Sequence, residues 1–321
     1  MIVPAYADIE TAAARLEGIV RRTPLLNAQA LDDALGARVF VKAESLQRFG
    51  AFKIRGAYNR IAAMSEAERA NGVLAFSSGN HAIGVAAAAR MFGAAALIVM
   101  PADAPRAKLE QTRALGAEIV TYDRAGESRE AIGAKLARER GLTIVKPFDD
   151  PFVIAGQGTI GLEIGEEIAP DVLLAPASGG GLIGGVAIAL QHRHPHAKAY
   201  AVEPAGHDDI ARSLAAGKIE TNAPRIRAIC DALLVERMGE ITFEIAKARL
   251  AGALAVTDAE VKRAVRFAFR HLKLVLEPSG AAALAAALAG KLDLRGQTVA
   301  IVASGGNVDA ENFAAILAEP D

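Results

Sequence analysis

Short runs of apolar residues alternate with segments of helical periodicity along most of this chain. The runs are rich in Val, Ile and Leu and predict strands at 38–43, 73–77, 95–100, 117–122, 142–145, 171–176, 198–203 and 297–303. Helices are predicted between the strands, for example at 127–140, 153–168 and 257–271. Apolar strands that alternate with amphipathic helices are typical of parallel sheets covered by helices on both faces. We therefore expect an α/β protein with doubly wound sheets.

The strands fall into two groups, which predicts two domains. The segment 70–147 holds four strands with helices between them, enough for a small doubly wound domain. The remaining segments, 1–69 and 148–321, form a larger domain from both ends of the chain. A length of 321 residues leaves each domain enough apolar surface for its own core.

The overall composition argues against several classes of protein. The 36 basic and 37 acidic residues nearly cancel, and no basic run indicates nucleic-acid binding. The most apolar stretch, GVAAAARMFGAAALIVMPA, is interrupted by Arg90, Gly93 and Pro101, so no membrane span is predicted. The first residues, MIVPAYADIE, lack the order of charged, apolar and small residues found in a signal peptide. We expect a cytoplasmic protein.

A lysine stands at the start of a predicted helix in GAFKIRGAYNR, residues 50–60. Ile54, Ala57 and Tyr58 recur at helical spacing, which places the preceding lysine in the first turn. A positive charge is unfavourable there, because the helix dipole favours negative charge at the N-terminus. Lys53 is therefore either a solvated surface residue or an amine that does not remain a free ammonium group.

Three predicted strands end in similar loops of small residues. The loops begin at Ser77, Ser178 and Ser304 and read SSGN, SGGGL and SGGN. Ligands of open α/β sheets bind beyond the carboxyl ends of the strands. Serine and glycine allow a ligand to approach the backbone N–H groups closely. Three such loops in one chain predict a single shared ligand site.

The SGGGL loop is the strongest candidate for binding an anion. Successive backbone N–H groups and the positive end of the following helix form a cradle for phosphate. As an alternative, Gly179, Gly181 and Gly184 match the G-x-G-x-x-G pattern of NAD-binding folds. The acidic Glu203 at the end of the next strand fits that interpretation. The NAD-binding interpretation leaves the lysine and the other two loops without a function.

Five motifs occur in an order that resembles the fold-type II pyridoxal-phosphate enzymes: GAFKIRGAYN, SSGNHAIG, SGGGL, VEPAGHDD and ASGGN. The most similar groups in that family are serine/threonine dehydratases, serine racemases and 3-hydroxyaspartate ammonia-lyases. The resemblance covers nearly the whole chain. It implies two domains of the tryptophan-synthase β type, of which the larger binds pyridoxal 5′-phosphate as cofactor and the smaller lies on the substrate side. It also implies a small amino acid as substrate and a homodimer.

The resemblance assigns the residues that would bind the cofactor. Lys53, the lysine of the F-K-x-R-G motif, would carry it as a Schiff base, with Phe52 near the face of the ring. Asn80 would donate to the phenolic oxygen, and Ser304 would hydrogen-bond the pyridine nitrogen. The phosphate would be bound by the backbone N–H groups of Ser178, Gly179, Gly180, Gly181 and Leu182. A Schiff base also accounts for a lysine at the start of a helix.

The resemblance also implies a set of substrate-binding residues. The α-carboxylate would be received at a helix N-terminus by Ser77, Ser78, Asn80 and His81. For His81 alone, the alternative is a capping or packing role. Typical threonine dehydratases have alanine in place of Ser78, whereas in racemases and hydroxyaspartate enzymes the matching hydroxyl is a base on the face opposite the lysine. Arg129 would meet a second carboxylate, or else pair with Glu127 or Glu130 at the surface.

Three positions depart from the family pattern. Ile83 replaces a common glutamine, while Ser178 and Ala232 each replace a common glycine. The change at Ala232 can narrow the space above the cofactor, which leaves the size of the substrate open.

Together these assignments predict a β-eliminase of hydroxy amino acids such as L-threonine, L-serine or 3-hydroxyaspartate. Lys53 would remove the Cα proton, the β-hydroxyl would leave, and the products would be a 2-oxo acid and ammonia. Racemisation between Lys53 and Ser78 is the alternative within the family. The alternatives from other classes are an NAD(P)-dependent oxidoreductase and a non-enzymatic binding protein.

The segment VEPAGHDD predicts a metal site. Glu203 ends a strand, and a Pro-Ala-Gly turn can bring Asp209 back toward it. Two carboxylates that lie close together need a cation or a proton between them. The resemblance implies Mg²⁺ or Ca²⁺ bound by Glu203, Asp209 and the backbone carbonyl of His207. In the alternative interpretation, the segment is a polar loop whose aspartate caps the next helix.

Overall fold

The computed structural model describes residues 2–77, 79–104, 106–123, 126–223 and 228–320. The α-helices of these residues are α1 (Tyr6–Leu16), α2 (Gln29–Leu35), α3 (Lys53–Ala62), α4 (Glu66–Asn71), α5 (Asn80–Met91), α6 (Arg106–Ala114), α7 (Arg129–Arg140), α8 (Pro151–Glu167), α9 (Gly181–Arg193), α10 (Asp209–Ala216), α11 (Glu240–Arg249), α12 (Asp258–Phe267), α13 (Pro278–Leu288) and α14 (Ala310–Ala318). The strands are β1 (Leu25–Asn27), β2 (Arg38–Ala43), β3 (Val73–Phe76), β4 (Ala96–Pro101), β5 (Glu118–Tyr122), β6 (Thr143–Ile144), β7 (Val172–Pro176), β8 (Lys198–Pro204), β9 (Leu250–Val256) and β10 (Thr298–Ala303). Strands and helices alternate along most of the chain, as predicted.

These strands form two sheets. The larger sheet has the order β1-β2-β10-β7-β8-β9, in which β1 is antiparallel to β2 and the other neighbours are parallel. The smaller sheet has the order β5-β4-β3-β6 and is parallel throughout. Each strand order reverses direction along the sheet, which is the mark of doubly wound topology. The predicted α/β architecture is confirmed.

Two strands of the larger sheet were not predicted. Strand β1 has three residues, too few for a pattern, and β9 reads LAGALAV. Alanine and glycine are depleted in strands, so the β9 segment carries little strand signal. The eight predicted strands each lie within one residue of an observed strand. The domain boundaries proposed from the sequence stay a prediction.

Helix α8 sets the positions of α3 and α9, two helices whose first turns contain predicted site residues. Its glycines allow close backbone approach: a Cβ at Gly156 would lie 2.6 Å from the carbonyl oxygen of Arg55 in α3. A Cβ at Gly161 would overlap the carbonyl oxygen of Val186 in α9. Close packing of this kind leaves little freedom for relative movement of the three helices. The first turns of α3 and α9 are therefore held firmly in relation to each other.

The apolar helices of the molecule are buried against the sheets and their neighbours. In α13, every residue from Ser279 to Ala287 is buried. Within the described ranges, no helix is both long and apolar enough to cross a membrane.

Candidate active site

The loops that follow β3, β7 and β10 meet in one pocket. The predicted site residues in its lining are Phe52, Lys53, Ser77, Asn80, His81, Arg129, Ser178, Gly179, Gly180, Gly181, Leu182 and Ser304. Ser78 lies outside the described residues. Since parallel strands present their carboxyl ends at one edge of a sheet, the pocket lies where ligands of such sheets bind.

Lys53 is the first residue of α3, and Phe52 precedes it at the N-cap position. Its Nζ lies 2.7 Å from the carbonyl oxygen of Pro147 and 5.0 Å from the centre of the Phe52 ring. Burial lowers the pKa of Lys53 to about 8. A lysine with a lowered pKa is uncharged more often near neutral pH, and the uncharged amine is the nucleophile.

The SGGGL loop has space only for glycine at its centre. A Cβ at Gly179 would overlap the ring of Phe148, and one at Gly181 would lie 3.0 Å from the Phe148 backbone. Gly180 has a φ of +87°, which other residues rarely adopt. Helix α9 begins directly at Gly181, so its free N–H groups and positive dipole end face the loop.

A threonine that the sequence did not indicate supports this loop from behind. The Thr242 hydroxyl donates to the carbonyl oxygen of Gly179 at 2.7 Å and accepts from the N–H of Gly239 at 2.9 Å. With that carbonyl turned toward Thr242, the N–H groups of the loop remain for a ligand. Phe148 and Thr242 thus shape the cradle without belonging to the glycine motif.

The hydroxyl of Ser178 tests whether the cradle fits a phosphate. Its Oγ is buried and has no hydrogen-bond partner among the described residues. A buried hydroxyl without a partner costs free energy, roughly 1–3 kcal/mol. A phosphate oxygen bound in the loop would accept this hydrogen bond. The residues present therefore fit a phosphate-bearing cofactor.

Asn80 begins α5, and two partners fix the orientation of its side-chain amide. Its Nδ2 donates to the Glu277 carboxylate, and its Oδ1 accepts from Asn307 Nδ2 at 2.8 Å. One amide hydrogen therefore remains for a ligand in the pocket.

A buried lysine connects the Glu277 carboxylate to the helices of the smaller sheet. Lys108 of α6 places its Nζ 2.9 Å from Asp231 Oδ2 and 3.4 Å from Glu277 Oε2. Both carboxylate residues line the pocket. None of the three was predicted from the sequence.

Arg129 is the first residue of α7 and lines the pocket. Its side chain is 30% exposed, and Nε lies 2.7 Å from Glu130 Oε1. The guanidinium group also lies 5.9 Å from the centre of the Phe76 ring. Arg129 thus pairs with Glu130, as one alternative predicted. It also lines the pocket, as contact with a second carboxylate of a ligand would require.

The predicted metal ligands lie apart from this pocket. Glu203 is fully buried, and its carboxylate accepts from the N–H groups of Ile210 at 2.9 Å and Ala211 at 3.1 Å. Asp209 accepts from Asn222 Nδ2 and from the Met238 N–H, both at 2.7 Å. Among the described residues, no group of three or more His, Cys, Asp and Glu side chains could hold a metal ion.

The two acids nevertheless keep a chemistry that suits a cation. Burial, together with the charge of Asp209, raises the pKa of Glu203 to about 8. Burial raises the pKa of Asp209 to about 6. A divalent ion bound by both carboxylates and by the His207 carbonyl would remove the need for protons. The metal itself stays a prediction.

Pocket and fold together define an enzyme-like site in which a nucleophilic lysine and an anion cradle line the same pocket. The chain matches the pyridoxal-phosphate dependent enzyme family over residues 16–305. It is 44% identical over 318 residues to an L-threo-3-hydroxyaspartate ammonia-lyase of Pseudomonas sp, covering 99% of both chains. It is 42% identical over 304 residues to an L-threonine ammonia-lyase of Thermotoga maritima, covering 94% of this chain and 75% of that protein. The protein belongs to the pyridoxal-phosphate dependent enzymes.

The solved structures agree with this membership. The structure of maize serine racemase superposes with a TM-score of 0.94 at 37% identity, covering 98% of this chain and 97% of that one. The resemblance to fold-type II pyridoxal-phosphate enzymes is confirmed. Family membership favours pyridoxal phosphate over a dinucleotide as the ligand of the SGGGL loop.

Proposed function

We propose that this protein is a pyridoxal-phosphate dependent ammonia-lyase that eliminates water from a hydroxy amino acid. The observation that supports it most directly is the position of Lys53 in one pocket with the glycine cradle. The lowered pKa of Lys53 suits both a covalent link to the cofactor and proton abstraction.

Each role in the reaction falls to residues of the pocket. Lys53 would hold the cofactor covalently, and the loop 178–182 would bind its phosphate. When bound, the cofactor supplies the electron sink that makes the substrate Cα–H acidic. The freed Lys53 amine takes that proton, and the Pro147 carbonyl oxygen accepts a hydrogen bond from the resulting ammonium group. Phe52 and Phe148 line the pocket with apolar surface that limits the entry of water.

The overall conversion is a net loss of ammonia, because one water is lost and one is taken up. The substrate loses its Cα proton to Lys53 and its β-hydroxyl group, and this proton and hydroxide together make up the water that is lost. Hydrolysis of the enamine that remains consumes one water and gives a 2-oxo acid and ammonia. In this proposal the N-terminus of α5, with Asn80 and His81 in its first turn at the pocket, would receive the α-carboxylate.

The favoured substrate in this proposal is 3-hydroxyaspartate, because Arg129 adds a second cation site to the pocket. A guanidinium group can bind a carboxylate through two parallel hydrogen bonds. The side-chain carboxylate of 3-hydroxyaspartate could make this contact, whereas serine and threonine have no second carboxylate. The ammonia-lyase from Pseudomonas sp described above acts on this substrate according to its name.

The test compares 2-oxo acid formation from L-threo-3-hydroxyaspartate, L-threonine and L-serine. We expect Lys53→Ala to abolish all three activities and the visible absorption of lysine-bound cofactor. Arg129→Met should raise KM for 3-hydroxyaspartate at least tenfold and leave L-serine turnover nearly unchanged, consistent with loss of a charged hydrogen bond worth about 1.5–3 kcal/mol. Arg140→Met, on the same helix but paired with Glu118, is the control. Equal effects of Arg129→Met on both substrates would contradict the substrate assignment alone.

A racemase is the second candidate, supported by the similarity to maize serine racemase. Racemisation needs a second base on the face opposite Lys53, and Ser78 is the predicted residue. Chiral analysis of L-serine after incubation with the wild type and with Ser78→Ala distinguishes the two. Elimination alone predicts no D-serine from either protein.

The metal, the homodimer and the cytoplasmic location also belong to this proposal. The acid pair supports the metal, because it is connected to the phosphate cradle. Asp209 accepts from the Met238 N–H, the neighbouring Gly239 N–H donates to Thr242, and Thr242 donates to the Gly179 carbonyl oxygen. A bound ion would thus stabilise the phosphate cradle without touching the substrate. Sedimentation of the purified protein tests the dimer.

A further inference from the structure

Lys108 is a buried lysine of α6 that lies just behind the pocket. Only 4% of the residue is exposed, and its Nζ lies 2.9 Å from Asp231 Oδ2 and 3.4 Å from Glu277 Oε2. Both acids line the pocket, whereas Lys108 lines the cavity next to it. A Cβ at Gly79, the N-cap residue of α5, would lie 3.5 Å from the same Nζ. The ammonium group therefore lies against the start of the helix that carries Asn80.

Glu277 depends on this cation more than Asp231 does. The Glu277 side chain is 2% exposed, whereas the Asp231 side chain is 43% exposed and can be solvated by water. Burial raises the pKa of Glu277, the Lys108 ammonium group opposes that rise, and the charge of Asp231 adds to it. Among the described residues, Lys108 is the cation in contact with Glu277. Without it, a buried carboxylate would face a second acid and would take up a proton.

The orientation of the Asn80 amide is fixed by a chain of hydrogen bonds that ends at a backbone carbonyl. Asn307 Nδ2 donates to the carbonyl oxygen of Phe49 at 2.8 Å, and a carbonyl can only accept, so this end of the Asn307 amide is the nitrogen. The same nitrogen donates to Asn80 Oδ1 at 2.8 Å. Asn80 Nδ2 is thereby turned toward Glu277 Oε1, to which it donates.

Both oxygens of the Glu277 carboxyl group accept hydrogen bonds, Oε1 from Asn80 and Oε2 from Lys108. A carboxylate can accept at both oxygens, but a carboxylic acid carries a hydrogen on one of them. A proton on Oε1 would face the Asn80 N–H. A proton on Oε2 would leave Asn80 with a neutral acceptor, whose hydrogen bond is roughly half as strong. In either case the Asn80 amide would be held less firmly.

We propose that Lys108 is a positioning residue that holds Glu277 as a carboxylate, which in turn fixes the Asn80 amide with its second N–H available to a ligand in the pocket. Lys108 acts only through Glu277. The contact also joins the two sheets, because α6 lies between β4 and β5 of the smaller sheet and Glu277 directly precedes α13, which packs on the larger one. The use of this N–H by the cofactor rests on the proposed function, whereas the orientation of Asn80 does not.

The first experiment observes the Asn80 amide without cofactor, substrate or turnover. The full chain is labelled with ¹⁵N-asparagine and stripped of cofactor, and circular dichroism verifies that it is folded. Asn80→Ser identifies the Asn80 side-chain signals among those of the seven asparagines. In the wild type, we expect these signals to stay constant between about pH 6 and 7, because Glu277 remains a carboxylate and Lys53, with a pKa of about 8, remains charged.

Matched variants separate the charge of Lys108 from its packing. Lys108→Met keeps most of the apolar side chain and removes the charge, and we expect it to shift the Asn80 signals. Lys108→Arg keeps the charge and should leave them near their wild-type positions. In a Glu277→Gln background, where residue 277 has no charge to hold, the same Lys108→Met change should shift them little. Lys262→Met, which removes a partner of Glu319 at the neighbouring cavity, is the control.

The second experiment tests the use of the second N–H in the loaded protein. A donor to the phenolic oxygen of the cofactor stabilises the ionised form of that oxygen and lowers its pKa. In Lys108→Met, we expect the pH-dependent absorption change of the lysine-bound cofactor to occur roughly one unit higher than in the wild type. In Lys108→Arg it should stay where it is. An unchanged profile in Lys108→Met would overturn the role of Lys108 in the loaded protein.

The outcomes are distinct. Asn80 signals that ignore Lys108→Met would overturn the proposal, and an equal shift in the Glu277→Gln background would show that packing rather than charge is responsible. Asn80 signals that titrate between about pH 6 and 7 in the wild type would overturn it even if Lys108→Met does not fold. If Asn80 responds as expected while no 2-oxo acid forms from any hydroxy amino acid, the proposed function fails and the positioning of Asn80 by Lys108 stands.

Discussion

Lys53 and Arg55 are two cations only two residues apart in α3, and their surroundings are opposite. The Arg55 guanidinium group is fully buried and makes two hydrogen bonds to Glu44, at 2.8 and 2.9 Å, and two to Glu163, at 2.6 and 3.0 Å. Lys53 faces the pocket, where a single carbonyl oxygen accepts from its Nζ at 2.7 Å. Arg55 therefore has two carboxylate partners, whereas Lys53 has no counter-charge in direct contact among the described residues.

The protonation equilibria follow this difference. Burial alone would lower the pKa of Arg55, but the Glu44 and Glu163 carboxylates raise it instead. For Lys53, burial acts without such compensation and lowers the pKa to about 8. A region that supplies its own partners holds the fold together. Buried groups without partners that line a pocket are available to a ligand, and the unpaired Ser178 Oγ and His81 Nδ1 lie in the same pocket as Lys53.

The largest change in stability is expected from the removal of Arg55. Arg55→Met leaves Glu44 buried without its cation, while Lys42 still contacts Glu163 at 2.6 Å. Removing one partner of a buried ion pair costs about 3–5 kcal/mol, so we expect a fall of that size in the free energy of unfolding. Urea denaturation of the folded chain measures it.

Two controls make this prediction specific. Arg295→Met removes an exposed pair with Asp293 and should leave the unfolding free energy near that of the wild type. The double variant Arg55→Met/Glu44→Gln removes the stranded charge and should recover part of the loss. A single Arg55→Met variant as stable as the wild type would show that the cluster does not support α3.

The acid pair Glu203 and Asp209 resembles the pocket rather than the Arg55 cluster. Glu44 and Glu203 are both fully buried. Although burial acts in the opposite direction, Arg55 lowers the pKa of Glu44, whereas burial raises the pKa of Glu203 to about 8. If Mg²⁺ or Ca²⁺ replaces the missing cation, removing it by chelation should lower the melting temperature and weaken cofactor retention.

The expected loss of stability on chelation depends on how nearly the metal site is saturated. An ion present at a hundred times its Kd stabilises the folded state by about 2.7 kcal/mol, and adding Mg²⁺ or Ca²⁺ back should restore it. In Glu203→Gln the response to chelator should disappear. Metal analysis that finds no ion, together with an unchanged melting temperature, would leave the pair as a protonated acid cluster beside the N-terminus of α10.

The lowered pKa of Lys53 predicts a pH dependence for cofactor attachment. The amine reacts only in its uncharged form, which predominates above a pKa of about 8. The rate at which added pyridoxal phosphate becomes bound to Lys53 should therefore level off above pH 8. It should fall about tenfold for each pH unit well below that value. Stopped-flow absorbance at several pH values measures the rate, and a profile that keeps rising to pH 10 would indicate an unperturbed lysine.

Much of the site could be predicted because its parts are local in sequence. The lysine at a helix start and the three serine-glycine loops are each a few consecutive residues. The parallel strands β7 and β10 bring two of these loops together in the larger sheet, and the third loop follows β3 of the smaller sheet. The acid pair is likewise local, with a short turn between its members. From these local motifs, the sequence could indicate which backbone groups face the pocket.

The supporting residues could not be predicted in this way, since their contacts join distant segments. Lys108 and Glu277 are 169 positions apart, and Thr242 and Gly179 are 63 apart. Neither Thr242 nor Phe148 carries a motif, and their role exists only once α11 and the end of β6 have packed beside the SGGGL loop. Strand β9 was missed for a different reason, because its alanine-rich sequence has no strand preference.

The smallest expected effect concerns Ser178, a neutral group without a partner. If its buried Oγ donates to the cofactor phosphate, Ser178→Ala removes one hydrogen bond worth about 0.5–1.5 kcal/mol and should raise the apparent Kd for pyridoxal phosphate roughly three- to tenfold. Ser45→Ala is a matched control, because Ser45 Oγ is also buried without a partner among the described residues but does not line the pocket. Fluorescence titration of the cofactor-free chain measures both. A tighter Kd in Ser178→Ala would mean that the hydroxyl stays unpaired in the complex, so that the pocket gains an unsatisfied group rather than a ligand contact at this position.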